Sequence, residues 1–287
     1  MPSSSLLNID SERFRRCFDA LPFLIGHQLC EHPLLQMPRL MQLAQALPAE
    51  HVEYNNAKLP ISADPTLTPR NGLSIEQTLQ QIEHCQTWMA LKYVEQDADF
   101  AKLLHSCLQE VASQSNLLER QMSLPHAFIF VSSPKAVTPY HMDPEHNFLL
   151  QIRGSKQVHL FDPNDPDILS QEVLTRFYSG AHRNLVFKER WIDKAKVFDL
   201  APGQGLHFPA TAPHFVQNGD AVSVSLSITF RTPKLDRTRS LYRMNLKLSN
   251  LGLHPQRVGQ SPRIDRLKFN AYRVWRRINT ALGKEAP

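Results

Sequence analysis

His141 and Asp143 stand two residues apart in TPYHMDPEHNFLLQIRGSK, residues 138–156. In an extended segment, residues i and i+2 point the same way, so an imidazole and a carboxylate could bind one ion from one side. Some seventy residues downstream, PGQGLHFPATAPHFVQNGD supplies two further imidazoles, His207 and His214. His207 lies in GLHFP, a strand entering a proline turn, and His214 in a turn-rich segment just before a strand. Two histidines and one carboxylate on one face of an ion leave adjacent positions open, which is the ligand set of non-haem Fe(II) chemistry. An HxD pair alone arises by chance in many chains, so its neighbours must carry the rest.

Those neighbours read as strands. HNFLLQIRGSKQVHLF predicts a hairpin turning at Gly154-Ser155, with Arg153 opposite Lys156, Gln151 opposite Val158 and Leu149 opposite Leu160. In that register Asp143, Asn147 and Lys156 share one face, while Phe148, Leu150, Ile152 and Phe161 form an apolar second face that also needs covering. By the same parity His146 leaves the site. AVSVSLSITFR alternates strictly, with Val222, Val224, Leu226, Ile228 and Phe230 on one side and Ser223, Ser225, Ser227, Thr229 and Arg231 on the other. The hydroxyl face suits either the wall of a polar pocket or a strand half exposed to water.

Around these strands the chain changes character twice. From Glu12 to Pro48, from Ser74 to Ile82 and from Ala98 to Ser113 the apolar spacing is mostly helical: Phe14, Cys17, Phe18 and Leu21 share a face, a second stretch runs from Pro38 to Ala46, and Phe100, Leu103, Leu104, Cys107, Leu108 and Val111 form a further stripe. Ser74 and Gln77 have capping-box spacing ahead of Ile75, Leu79 and Ile82. A Pro-, Asn- and Thr-rich loop separates them at 55–71. After about residue 125 come AFIFVSS, HNFLLQIR, KQVHLFD, KVFDL, GLHFP and AVSVSLSITFR, short strands divided by turn residues, which predict a barrel or sandwich. A partly helical excursion fills 165–193, with Tyr178, His182 and Arg183 either facing a substrate or lying in an ordinary polar loop. Helix returns around Asp265 to Leu282.

The residues Thr138-Pro139-x-His141-x-Asp143, Asn147-Phe148, Gln151-Ile152-x-Gly154-x-Lys156, Pro202-Gly203, Pro209 and His214 resemble the JmjC branch of the cupin superfamily, in particular its asparaginyl-hydroxylase-like, cupin-like group. The resemblance spans roughly 125–232. It implies a mainly β fold with helical extensions: a double-stranded β-helix, or jelly roll, at 121–235, a helical N-terminal extension at 1–120 and a basic, partly helical tail at 236–287. It selects His214 over His207 as the distal ligand, so that His141, Asp143 and His214 would hold Fe(II) and act at the catalytic centre. It implies 2-oxoglutarate as cosubstrate, its far carboxylate paired with Lys156 and Thr138, with Asn147 and Thr229 close by and Arg231 as a rival anchor. A buried dianion needs such a cation and donors. The implied activity is hydroxylation of a substrate C–H, using O2 and releasing succinate and CO2, on a protein side chain or a small molecule.

Composition bounds the rest. Among 287 residues, 42% are hydrophobic and 21% charged, ordinary for a globular protein. No run of eighteen apolar residues predicts a transmembrane segment, and MPSSSLLNIDSERFRR is too polar for a signal peptide, so the expected location is cytoplasmic. Cys17, Cys30, Cys85 and Cys107 make no CxxC pair, which excludes a zinc knuckle or redox motif. Residues 231–287 carry 14 Lys/Arg against 3 Asp/Glu, a net +11, and the preceding 230 residues carry −6. The tail, with Phe269, Tyr272, Trp275 and Ile278 among its arginines, reads as an amphipathic helix that docks on the body or a second subunit, with nucleic acid or an anionic membrane as other candidates. Two alternatives to the oxygenase reading stay open: a non-catalytic cupin-type metal- or ligand-binding regulatory protein whose tail contacts nucleic acid or a partner, and a metal-dependent cupin enzyme without 2-oxoglutarate.

Overall fold

The computed structural model describes residues 5–56, 60–63, 71–115 and 121–283. Two compact units divide the chain, Met1–Asp162 with Asn184–Arg231, and Pro163–Arg183 with Thr232–Pro287.

The first unit is built on two antiparallel sheets. Its strands in chain order are β1 (Leu7–Asn8), β2 (Phe23–His27), β3 (Val52–Asn56), β4 (Thr87–Lys92), β5 (Ser123–Ser132), β6 (Val137–His141), β7 (His146–Arg153), β8 (Lys156–Leu160), β9 (Lys196–Leu200), β10 (Gln204–Phe208), β11 (His214–Asn218) and β12 (Ser223–Arg231). The larger sheet has the order β1-β2-β10-β7-β12-β5-β4-β3 and the smaller β6-β11-β8-β9. This is the expected β core with helical additions.

Strand parity decides what each face touches. On β7 and β12, Phe148, Leu150, Ile152, Val224, Leu226, Ile228 and Phe230 point outward into one core shared with α1 (Ser11–Cys17), α2 (Met37–Ala46), α3 (Ile75–Gln80) and α4 (Ala98–Ala112). Leu149 points the other way, into the space between the sheets, beside Val158, Leu160, Phe198, Leu200, Leu206, Phe208 and Val216. Both faces of β7 are therefore covered, as its dense apolar run requires. The hydroxyl face of β12 turns inward as well: Ser223, Ser225, Ser227 and Thr229 are all buried, which removes the half-exposed reading of that strand.

Local signals explain the helices. Ser74 and Gln77 form the reciprocal capping box that opens α3. Asp97 accepts from the Asp99 and Phe100 amides at the start of α4, whose stripe Phe100, Leu103, Leu104, Cys107 and Val111 is buried. The front of the chain is not helical throughout, however. FLIGH forms β2 between β1 and β10, and β3 and β4 extend the large sheet beyond β5. Leu21 lies past the end of α1 and is exposed. The loop expected at 55–71 falls mostly outside the described residues.

The predicted hairpin does not form. β7 and β8 belong to different sheets, and the chain crosses between them at Gly154-Ser155. Gly154 has φ +70° and a Cβ there would stand 2.4 Å from the Val222 carbonyl oxygen, so only glycine fits the corner. A Gly-Ser pair between two strands gives the same local signal whether the chain turns back or crosses over.

The second unit is helical: α5 (Gln171–Tyr178), α6 (Pro233–Asn250) and α7 (Pro262–Ala281). The Tyr242 hydroxyl donates to Gln171 Oε1, and the Arg243 Nε donates to the Tyr178 carbonyl. The Tyr178 ring stacks on Tyr242, so Tyr178 is a packing residue of this unit. No helix among the described residues is long and apolar enough to cross a membrane.

Candidate metal centre

β6 and β11 pair directly, His141 opposite His214. His141 ends β6, and His214 begins β11 rather than preceding a strand, a position concealed by the prolines ahead of it. Asp143 follows two residues after β6, where its carbonyl accepts from the Thr211 amide at 2.7 Å. Thr211 holds φ +62°, a region few non-glycine residues enter. The turn carrying it thus ties the aspartate loop to the strand carrying the second histidine.

The three side chains converge. Ligand-capable atoms of His141, Asp143 and His214 all lie within 4.8 Å of one another, and all three residues are buried. His141 Nε2 is 3.8 Å from Asp143 Oδ1, and His214 Nε2 is 3.9 Å from Asp143 Oδ2. These separations exceed a hydrogen bond and approach twice a metal–nitrogen or metal–oxygen distance of about 2.1 Å. Each ring is also oriented from behind: His141 Nδ1 contacts the Pro139 carbonyl at 2.8 Å, and His214 Nδ1 the Ala212 carbonyl at 2.9 Å. A carbonyl only accepts, so each Nδ1 carries a proton and Nε2 is the ring atom turned toward Asp143.

From the triad the smaller sheet continues along β8 and β11. Leu160, Val158 and Lys156 of β8 stand opposite His214, Val216 and Asn218 of β11, and residues on one rung share a face. Lys156 thus faces inward, four residues along the strand from the triad's rung. Lys156 is turned inward although the hairpin used to derive that direction does not form. Thr138 reaches the same face by a route that period-two counting would deny. A bulge gives β6 an extra residue, so Thr138 pairs with Val216 and points with His141 despite being three positions away.

Lys156 is buried with no acidic partner among the described residues, and burial pushes its pKa down to about 7. Asn218, on its rung, is also buried, and its Oδ1 has no hydrogen-bond partner. Sequence reading missed Asn218 because Asn-Gly carries the composition of a turn. In the larger sheet, Asn147 Nδ2 is 3.5 Å from Asp143 Oδ2 and its Oδ1 accepts from Ser227 at 2.8 Å. Gln151 takes a bond from Ser225 and donates to Ser223 and to the 153 and 154 carbonyls, so its amide is satisfied within the protein. Thr229 shares Asn147's rung, and its hydroxyl lies 3.5 Å from the His126 carbonyl.

Other candidates lie elsewhere. His207 alternates with Leu206 and Phe208 and so faces outward, its ring nitrogens 3.0 and 2.9 Å from the Asn147 and Phe18 carbonyls. Burial pushes its pKa down to about 4. His146 is on that outer side too, stacked on Phe18 at 4.3 Å, and His159 stacks on Phe215. Arg231 ends β12 opposite Ser123, at the rim of the sheet.

Comparison with known proteins agrees with this architecture. A stretch of 107 residues is 34% identical to JmjC domain-containing protein D of Dictyostelium discoideum, covering 32% of this chain and 21% of that protein, about a fifth of its length. Among solved structures, Escherichia coli ycfD superposes with a TM-score of 0.51 at 14% identity, over 94% of this chain and 68% of that one. The ribosomal oxygenase YcfD of Escherichia coli in complex with cobalt and 2-oxoglutarate gives 0.50 at 13% identity, over 94% and 67%. At that identity the likeness is one of fold. The profile of the cupin-like domain matches residues 70–236, more than half of the chain and all of the triad, and the protein therefore belongs to the cupin-like domain family.

Proposed function

We propose that this protein is a non-haem Fe(II)- and 2-oxoglutarate-dependent oxygenase that hydroxylates a C–H bond of a protein side chain or small molecule. The observation that carries the reading is the pairing, on one face of β8 and β11, of a buried His-Asp-His set with a buried lysine that has no acidic partner among the described residues. Burial leaves a lone ammonium unstable unless an anion joins it. The donor set fits the metal: two imidazoles and one carboxylate suit a divalent ion with open positions.

His141, Asp143 and His214 would hold that ion, which when bound supplies activation of O2 with decarboxylation of 2-oxoglutarate to succinate and CO2. The protein contributes position and dryness. Lys156 would take the distal carboxylate of 2-oxoglutarate, and Thr138, on the rung between Lys156 and the triad, would donate its hydroxyl. Asn147 and Asn218 supply amides at either end, and Thr229 a hydroxyl beside Asn147. The Pro139 and Ala212 carbonyls hold the two imidazoles in the ligating tautomer. The apolar residues between the sheets exclude water from the cosubstrate. The YcfD complex with cobalt and 2-oxoglutarate supports the pairing of metal and cosubstrate on this fold.

The test is calorimetric, using Mn(II) and N-oxalylglycine, an unreactive analogue of 2-oxoglutarate. Wild type is expected to bind one metal ion and then the analogue. His141→Ala, Asp143→Ala or His214→Ala should abolish tight metal binding. Lys156→Ala should keep the metal and weaken the analogue by roughly 10- to 100-fold, the magnitude of a lost charge-assisted bond. Unchanged analogue binding in Lys156→Ala would overturn the cosubstrate role and leave a metal-dependent cupin of another kind.

A further inference from the structure

The sequence predicts that Phe269, Tyr272, Trp275 and Ile278 of α7 form a stripe that docks on the body or a second subunit; in the helical unit Tyr272 is buried with Asp265 and Lys268, Phe269 and Trp275 are half-buried, and Ile278 is exposed. A second stripe is left open. Leu267, Val274, Ile278 and Leu282 are 70%, 56%, 54% and 65% exposed, and Ala271 between them is exposed as well. Their spacing of four, three, four and four places them along one line of the helix. Large aliphatic side chains gathered in this way mark a contact surface rather than ordinary scatter.

The charges beside the stripe say what kind of surface it meets. Arg266, Arg273 and Arg277 are exposed and follow one flank of the stripe along the helix. Trp275 borders the other flank and carries the Lys247 ammonium of α6 over its ring at 3.4 Å. α7 itself contains one acidic residue, Asp265, which is buried and accepts from the Gly259 amide. The exposed aliphatic line therefore runs between cations with no exposed carboxylate on its helix. A second copy of this unit would bring like charge against like charge. A nucleic acid would use the cations and leave four aliphatic side chains in water. An anionic lipid surface uses both, taking the aliphatic groups into the acyl boundary while the arginines reach the headgroups.

We infer that α7 is an interfacial helix that lays Leu267, Ala271, Val274, Ile278 and Leu282 onto an anionic phospholipid surface, held there by Arg266, Arg273 and Arg277.

The experiment is flotation of the full-length protein with vesicles of phosphatidylcholine alone or mixed equally with phosphatidylglycerol. Wild type is expected to float with the mixed vesicles at least about tenfold more than with neutral ones, and to lose that binding as salt rises well above physiological strength. The double variants Val274→Gln/Ile278→Gln and Arg273→Glu/Arg277→Glu should each lose on the order of tenfold while keeping the wild-type thermal midpoint. A third variant, Leu267→Gln/Leu282→Gln, repeats the aliphatic test should the first double variant melt early. Equal flotation with neutral vesicles, or none with mixed ones, overturns the inference. So does a wild-type dimer, by light scattering, that the aliphatic variants convert to monomer without any vesicle binding. A gel shift of RNA that needs only the arginines, in a protein that does not float, overturns it in favour of nucleic acid.

Discussion

Burying the Lys156 ammonium between two sheets with no carboxylate against it leaves a charge that water no longer solvates. Its folded-state pKa of about 7 lies below the ordinary 10.5. Between those values the unfolded chain binds the extra proton, so stability rises with pH across that window and the benefit is lost as pH falls toward 7. Wild type should gain on the order of a few kcal/mol in urea unfolding between about pH 7 and pH 10, and Lys156→Met should lack that slope. A bound dianion restores the charged lysine, so N-oxalylglycine binding above pH 7 should take up a proton, read as a dependence of the binding heat on buffer ionisation. Lys156 was singled out in the sequence by the resemblance, but the argument that turned it inward relied on a hairpin that the protein does not form. Thr138 was legible only by resemblance, because its direction depends on a bulge that no period-two pattern announces.

At the scale of elements, two short connections position the chemistry. The Gly154 corner sends β8 into the second sheet, and the Thr211 turn holds the Asp143 loop. Gly154→Ala should cost about 2–4 kcal/mol, combining a left-handed backbone with a methyl driven into the Val222 carbonyl, as read from the urea midpoint. Thr211→Gly keeps the amide and tolerates the backbone, so metal affinity should stay near wild type. Thr211→Pro loses the amide and cannot adopt φ +62°, and should weaken metal binding roughly 10- to 100-fold by isothermal titration. Strands such as β7, β9 and β12 could be read because each has clear β composition bounded by turn residues. FLIGH and TWMALK could not, since a short apolar run buried in a wide sheet has the same pattern as a helix segment. HFVQN was hidden between prolines and an Asn-Gly pair, so the strand holding His214 was read as part of a turn.

Taken as a whole, the first unit is a pair of sheets whose outer face is sealed by helices and whose inner face ends in a metal-capable triad. Ligands that bind only this folded state must stabilise it. Mn(II) with N-oxalylglycine at about a hundredfold excess over their dissociation constants should raise stability by roughly 2.7 kcal/mol, a shift of several degrees in thermal midpoint, and His141→Ala should show none of it. The division of labour between a mildly acidic body and a strongly basic tail was evident from charge alone. That one face of α7 packs while a second stays open was not, because both stripes have helical spacing. The central claim is that the triad and Lys156 together serve oxygen-dependent turnover of 2-oxoglutarate. The direct measurement is succinate released from 2-oxoglutarate by the Fe(II)-loaded protein, in air and under anaerobic conditions, with Asp143→Ala alongside. Succinate that appears only with O2 and vanishes in Asp143→Ala is the predicted result, and its absence in air across candidate protein and small-molecule substrates, or its persistence in Asp143→Ala, would contradict it.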